Sequence, residues 1–297
     1  MTIGRQADFM GTLDRLNKSS IRVTDIASQY WCEKQMELRY LYGRKITKEL
    51  TKGSKMHEDM AGETNVQLDL QPRSYGDFMY KTLYESYMAL DSLVEKSKTR
   101  EVSIFGSISG VKTVGKIDQL STRDGKLHVY EDKTTRSKLP GKGAMMIARV
   151  QVILYRKLIE DIKSGAYTIS EFRKATGTPR LKLTPEFERQ MSALHISGAL
   201  GTIGEVEQRY FNALKSLPEF DEKLYIRYID QFTGSTIQLY SFKYSQREME
   251  NILSFAMGYW KGERAARPVP YEEMSKCNMC EFFGKECKVW WQHKVGQ

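Results

Sequence analysis

Four cysteines constrain this chain more than any other feature. Cys277, Cys280 and Cys287 lie close together in the spacing C-x2-C-x6-C, while Cys32 stands alone near the other end. Thiolates two residues apart can aim both sulfurs at one point across a tight turn. Four thiolates complete either a tetrahedral zinc site or a cubane iron–sulfur cluster. A zinc ribbon usually draws its ligands from two pairs close in sequence, whereas here one ligand is remote. Unligated thiols, with Cys32 buried as a small hydrophobe, are the simpler alternative. If all four hold one group, an early helix must meet the last segment, and loss of the group would loosen the whole molecule. Residues 1–20 lack an apolar signal core and a small-residue cleavage site, so an intracellular chain is expected, without secretory disulfides.

Hydrophobic periodicity supplies the framework. Residues 23–43 read as a helix carrying Cys32, with Thr24 or Asp25 as N-cap and Gly43 as stop. A short helix after Gly53 carries His57, and residues 78–96 are again helical. From Arg100 the character changes to β-branched and aromatic runs, EVSIFGSISG, VKTVGKIDQL and KLHVYEDKTT. The last two are joined by Arg123-Asp124-Gly125, a hairpin signal. A basic loop, SKLPGKGAMM, precedes a helix over 144–163 that puts Gln151 and Tyr155 on one face. Residues 164–220 show no clear core pattern and read as a mostly helical insertion. Strands return over 223–232 and 235–244 through Thr233-Gly234, and Ser245 with Glu248 forms a capping box for a helix to Trp260. Arg267-Pro268-Val269-Pro270 ends regular structure.

No apolar run is long enough to span a membrane. Lys and Arg number 46 against 37 Asp and Glu, a net charge of +9, which suits an anionic partner such as nucleic acid. Within the strand region Asp118 and Glu131 face each other across the hairpin. Strand alternation points Glu131 and Lys133 the same way and Asp132 the other, with no evident role for Asp132. Two carboxylates can hold a hard divalent cation against a phosphate, with Lys133 to orient water or neutralise charge. Alone, such a pattern is more often a solvated charged face.

The motifs fall in a telling order: Gly53-x3-His57, Gly115-x2-Asp118, Glu131-x-Lys133 and Gln151-x3-Tyr155. This order resembles the RecB-like branch of the PD-(D/E)xK nucleases, with Ile117 where the name-giving proline would stand. With one early and three late cysteines it is similar to the iron–sulfur members, which include exonuclease V and the CRISPR-associated RecB-like nucleases. Val23-Thr24-Asp25-Ile26, the Trp31-Cys32-Glu33-Lys34-Gln35 stretch and the length favour the exonuclease V family. The resemblance implies an α/β fold, a central mixed sheet flanked by helices, in a single domain over 1–297. Residues 23–43 and 271–290 would form the clasp, and 164–220 an insertion. It implies a 4Fe-4S cluster on Cys32, Cys277, Cys280 and Cys287, and Mg²⁺ or Mn²⁺ on His57, Asp118 and Glu131. Lys133 would be catalytic, and Gln151 and Tyr155 would touch DNA or brace the ligands. The implied activity is a metal-dependent exonuclease that cuts single-stranded DNA ends into short products in DNA repair or processing. A monomer is expected. Lysines of the SKLPGK loop would neutralise backbone charge, and aromatics such as Tyr130 would stack on bases. The alternatives are trimming of DNA for CRISPR spacer integration, and a zinc-stapled, non-catalytic nucleic-acid-binding protein.

Overall fold

Local signals start most of the elements in the computed structural model, which describes residues 11–65, 68–136, 141–195 and 201–288. Helix α1 (Thr12–Arg15) leads to the short strand β1 (Ile21–Arg22) and to α2 (Val23–Tyr42). The N-cap of α2 is Arg22 rather than Thr24 or Asp25, because Asp25 reaches back to accept the Arg22 backbone N–H at 2.8 Å. Gly43 ends the helix, but it is not continuous: at Cys32 the backbone is extended (φ −169°, ψ 113°). Helix α3 (Lys48–Gly62) starts ahead of Gly53, on the N-cap Thr47. Helix α4 (Tyr75–Lys96) opens with a reciprocal Ser74–Asp77 capping box.

Strands β2 (Lys98–Ile108), β3 (Val111–Arg123) and β4 (Lys126–Thr135) form an antiparallel meander. Asp124 and Gly125 both take positive φ, 52° and 70°, as the Asp-Gly hairpin signal requires. Helix α5 (Lys142–Ser164) then begins the crossover, followed by α6 (Ile169–Thr176), α7 (Pro185–Ala193) and α8 (Ile203–Lys215). Strand β5 (Lys223–Asp230) lies parallel to β4, and β6 (Thr236–Lys243) turns back on β5. In α9 (Gln246–Trp260) the Ser245 cap accepts the Glu248 N–H, but the expected box is not closed. The Glu248 carboxylate is taken instead by Arg149 of α5 at 2.6 Å.

The fold is thus α/β, a mixed sheet of six strands among the described residues, flanked by helices. Its spine is β3. Along one side runs β2; along the other, β1 pairs with the first half and β4 with the second. The β3–β4 ladder begins at Gln119–Tyr130, and from Tyr130 onward β4 pairs with β5 instead. The sheet therefore splits at Asp118 and Glu131. Helix α5 packs along this region and is buried on every side over its middle, from Val150 to Tyr155, while Arg149, Arg156, Lys157, Glu160 and Asp161 keep a polar face to either end.

Residues 164–220 do supply core, contrary to expectation. Phe172, Phe187, Tyr210, Phe211 and Leu214 are buried, and Phe105 of β2 meets Phe172 and Tyr210 edge-on at 5.2 and 6.2 Å. Helices α6 and α7 are short and bury only one or two large residues each, whereas α8 buries Ile203, Val206, Tyr210, Phe211 and Leu214 at helical spacing, a periodicity legible in the sequence and missed there. At the other end of the molecule, Glu33 of α2 is buried against the Arg264 guanidinium (2.6 Å) and accepts the Arg267 N–H (2.8 Å). Trp260 donates to Gln29 at 3.0 Å, and Arg39 pairs with Glu281 at 3.0 Å. Early and late segments are held together by these contacts irrespective of the cysteines. Among the described residues no helix is long and apolar enough to cross a membrane.

Candidate active site

The split in the sheet opens into a cavity of about 800 Å³ lined by His57, Asp118, Glu131, Lys133, Gln151 and Tyr155, among others. Every residue expected at the site therefore faces one space. The motif glycines explain how. A Cβ on Gly53 would stand 2.8 Å from the Thr134 hydroxyl, so glycine lets α3 lie close on β4 and brings His57, a turn later, over the cavity. A Cβ on Gly115 would stand 2.8 Å from the Tyr155 ring and 2.9 Å from Val23, so glycine lets α5 and α2 close on β3 beside Asp118.

Asp118 and Glu131 stand opposite each other where the ladder opens. The Asp118 carboxylate accepts the Asp132 backbone N–H at 2.8 Å. Lys133 donates to Glu131 and, at 2.9 Å, to the Gln151 side-chain oxygen. Burial raises the Asp118 carboxyl to about 6, with the neighbouring Asp132 and Glu101 adding to it against the pull of His57 and Lys133. Burial, then the charge of Asp118, raises Glu131 to about 8. Burial acts to lower Lys133, but the Glu131 and Asp118 carboxylates outweigh it and hold the ammonium charged. Burial likewise opposes, and Glu101 and Asp118 overcome, a raised pKa at His57.

Gln151 and Tyr155 are 4% and 2% exposed. Gln151 holds Lys133 and bonds Tyr155, which lies against the carboxylates. Of the two roles left open for them, bracing is the one these contacts supply, and both side chains also line the cavity. Asp132, without a role in the sequence, is fully buried on the far side of β4. It takes Arg227 (2.9 Å) and Arg100 (2.8 Å) as partners, and Gln119 bonds both guanidiniums. Tyr130 stacks on its cross-strand neighbour Tyr225, centroids 4.7 Å apart, so one of its faces is already covered. Residues 137–140 of the basic loop lie outside the described residues.

One residue of the site was missed. Glu101 of β2 lies 3.4 Å from His57 Nδ1, and Asp118 lies 3.8 Å from the same atom. Ligand atoms of His57, Glu101 and Asp118 all fall within 4.8 Å of one another, and no other trio of His, Cys, Asp or Glu among the described residues does so. A lone glutamate within a strand carries no sequence signal; its position comes from a left-handed backbone, φ 53°.

Two features test the fit of a divalent cation. The Glu131 Oε2 atom is buried with no hydrogen-bond partner, an orphaned acceptor that a protein interior tolerates only at a cost. Three carboxylates and a histidine around one cavity are also a donor set for a hard or borderline ion. The residues fit.

The four cysteines are free and line a second cavity together, with Trp31, Leu38, Val269 and Phe283 among its apolar walls. The extended kink makes Cys32 the start of a new helical segment, and its sulfur accepts the Gln35 N–H at 3.4 Å. A helix start favours thiolate. Burial still raises the Cys32 and Cys277 thiols, and neighbouring cysteine sulfurs add to this in both. Zinc at about 2.3 Å from each sulfur would need sulfurs about 3.8 Å apart. Among the described residues no three of these sulfurs come within 4.8 Å of one another, so they are not drawn as close together as a single zinc would hold them.

Comparison with known proteins gives the class: a family model described as exonuclease V, a 5′ deoxyribonuclease, matches residues 12–131 and 201–292. The chain belongs to the exonuclease V family and is a DNA exonuclease. More particularly, it is 26% identical over 287 residues to Exonuclease V of Danio rerio, across 90% of this chain and 70% of the relative. The crystal structure of SSO0001 aligns over 91% of this chain and 90% of its own, at 13% identity and a TM-score of 0.39.

Proposed function

We propose that this exonuclease hydrolyses phosphodiester bonds of single-stranded DNA from a free 5′ end, releasing short products. It would use Mg²⁺ or Mn²⁺ held by His57, Asp118 and Glu131. The observation that carries this reading is the Asp118–Glu131–Lys133 group, with Glu131 buried and one of its oxygens orphaned, in a cavity large enough for a nucleotide. The family description supports the polarity. A bound divalent cation supplies a polarised phosphoryl oxygen and a more acidic water. The Lys133 ammonium, fixed between Glu131 and Gln151, neutralises charge developing on the phosphate. Gln151 and Tyr155 hold that ammonium and the carboxylates in register from behind. The four cysteines would hold a 4Fe-4S cluster that clasps α2 to the last segment; their wide spacing supports this over zinc.

The test is digestion of single-stranded DNA labelled at either end, with Mg²⁺ or Mn²⁺. Wild-type protein releases short 5′-labelled products, and Asp118→Ala loses at least about a thousandfold in rate while keeping its fold by circular dichroism. Full activity in Asp118→Ala would refute the site.

A further inference from the structure

We propose that Glu101 is a fourth ligand of the divalent cation, a residue that the motif order does not supply. The proposal rests on the cation site described above and adds a residue to it. Its first support is spacing. Donors bonded at about 2.2 Å to one ion can lie no more than about 4.4 Å apart. His57 Nδ1 stands 3.4 Å from Glu101 Oε1 and 3.8 Å from Asp118 Oδ1, inside that limit. As a direct charged hydrogen bond 3.4 Å is long, since such bonds run at about 2.7–2.9 Å. The three groups are set as neighbours around a common centre, with a single long hydrogen bond, His57 to Glu101, between them.

The second support is the backbone. Arg100 pairs with Gln119 and Val102 with Ile117, so Glu101 falls opposite Asp118, and there φ swings to 53° in the middle of a strand. A non-glycine residue held in that region is strained, and such strain gathers where a side chain must be aimed. Here it aims a carboxylate into the cavity beside Asp118 and His57. The third support is the other oxygen. Lys116, largely exposed, sits 2.8 Å from Glu101 Oε2, which steadies the carboxylate and leaves Oε1 toward His57. Glu131, bonded to Lys133, lines the same cavity beside this trio.

The experiment uses the full chain with Mn²⁺ alone as probe. Affinity is measured by calorimetry, and metal-bound water is counted by pulsed electron paramagnetic resonance in ¹⁷O-labelled water. Glu101→Gln and Glu101→Gly should each weaken Mn²⁺ binding by more than about tenfold and show one additional bound water at saturation. Glu101→Gly should also melt no lower than wild type, because glycine accepts φ 53° without strain. Unchanged affinity, or weaker binding with an unchanged water count, overturns the proposal; the latter would make Glu101 a group that only orients His57. Asp118→Asn serves as the control. If it weakens Mn²⁺ binding and the Glu101 variants do not, Glu101 alone is dismissed; if it leaves binding unchanged, the cation site itself falls.

Discussion

Glu131 is a carboxylate with a side for each charge: one oxygen meets Lys133, while the other is buried without a partner. Without a cation, burial and the facing Asp118 favour its protonated form, and Asp118 is raised too. Folded carboxyls near 6 and 8 against ordinary values near 4 mean that the folded chain binds more protons than the unfolded one between about pH 4 and pH 8. Metal-free stability from this pair is therefore full below about pH 4 and falls as pH rises through that window. A divalent cation reverses the penalty by replacing the protons. The thermal shift produced by saturating Mn²⁺ should grow from about pH 5.5 to about pH 8, with net proton release in calorimetry. A shift independent of pH over that range would contradict the assignment of these two groups to the cation site.

At the scale of elements, the catalytic strand depends on what lies behind it. As β4 leaves β3 for β5, Asp132 bridges the gap by gripping Arg227 of β5 and Arg100 of β2. Arg100 is 2% exposed, and two of its nitrogens have no other partner, so Asp132 is its principal counter-charge. Removing one partner of a buried pair strands the other. Asp132→Ala should therefore cost about 3–5 kcal/mol in denaturant unfolding. A loss below about 1 kcal/mol would mean that the two arginines find other partners. Helix α5 matters in the same way, since it delivers both Gln151 to Lys133 and the Tyr155 ring to the space kept open by Gly115.

At the scale of the molecule, α2 is tied to the end of α9 and the segment after it in two ways: by direct contacts, the Glu33–Arg264 and Arg39–Glu281 pairs and the Gln29–Trp260 bond, and by the cavity that gathers the four cysteines. The first tie is present in the protein alone; the second would be completed by a cluster. Cys32→Ser should lower iron and sulfide content together and reduce the melting temperature by several degrees, without unfolding the sheet. Full iron occupancy in that variant would remove Cys32 from the ligand set.

The sequence by itself determined what local physics decides. Alternating β-branched runs and Asp124-Gly125 specify the meander, and the order of glycine, histidine, carboxylate and lysine motifs marks the residues that meet in the cavity. Strand alternation alone placed Glu131 and Lys133 together and sent Asp132 to the other side. Tertiary structure decided the rest. The kink that turns Cys32 from a mid-helix residue into a helix start, the left-handed twist that brings Glu101 beside His57, and the arginines that receive Asp132 all depend on contacts between distant segments. The core aromatics Phe172 and Phe187 belong with them, because helices as short as α6 and α7 carry too few residues to show which face will be buried until the sheet is there to cover it.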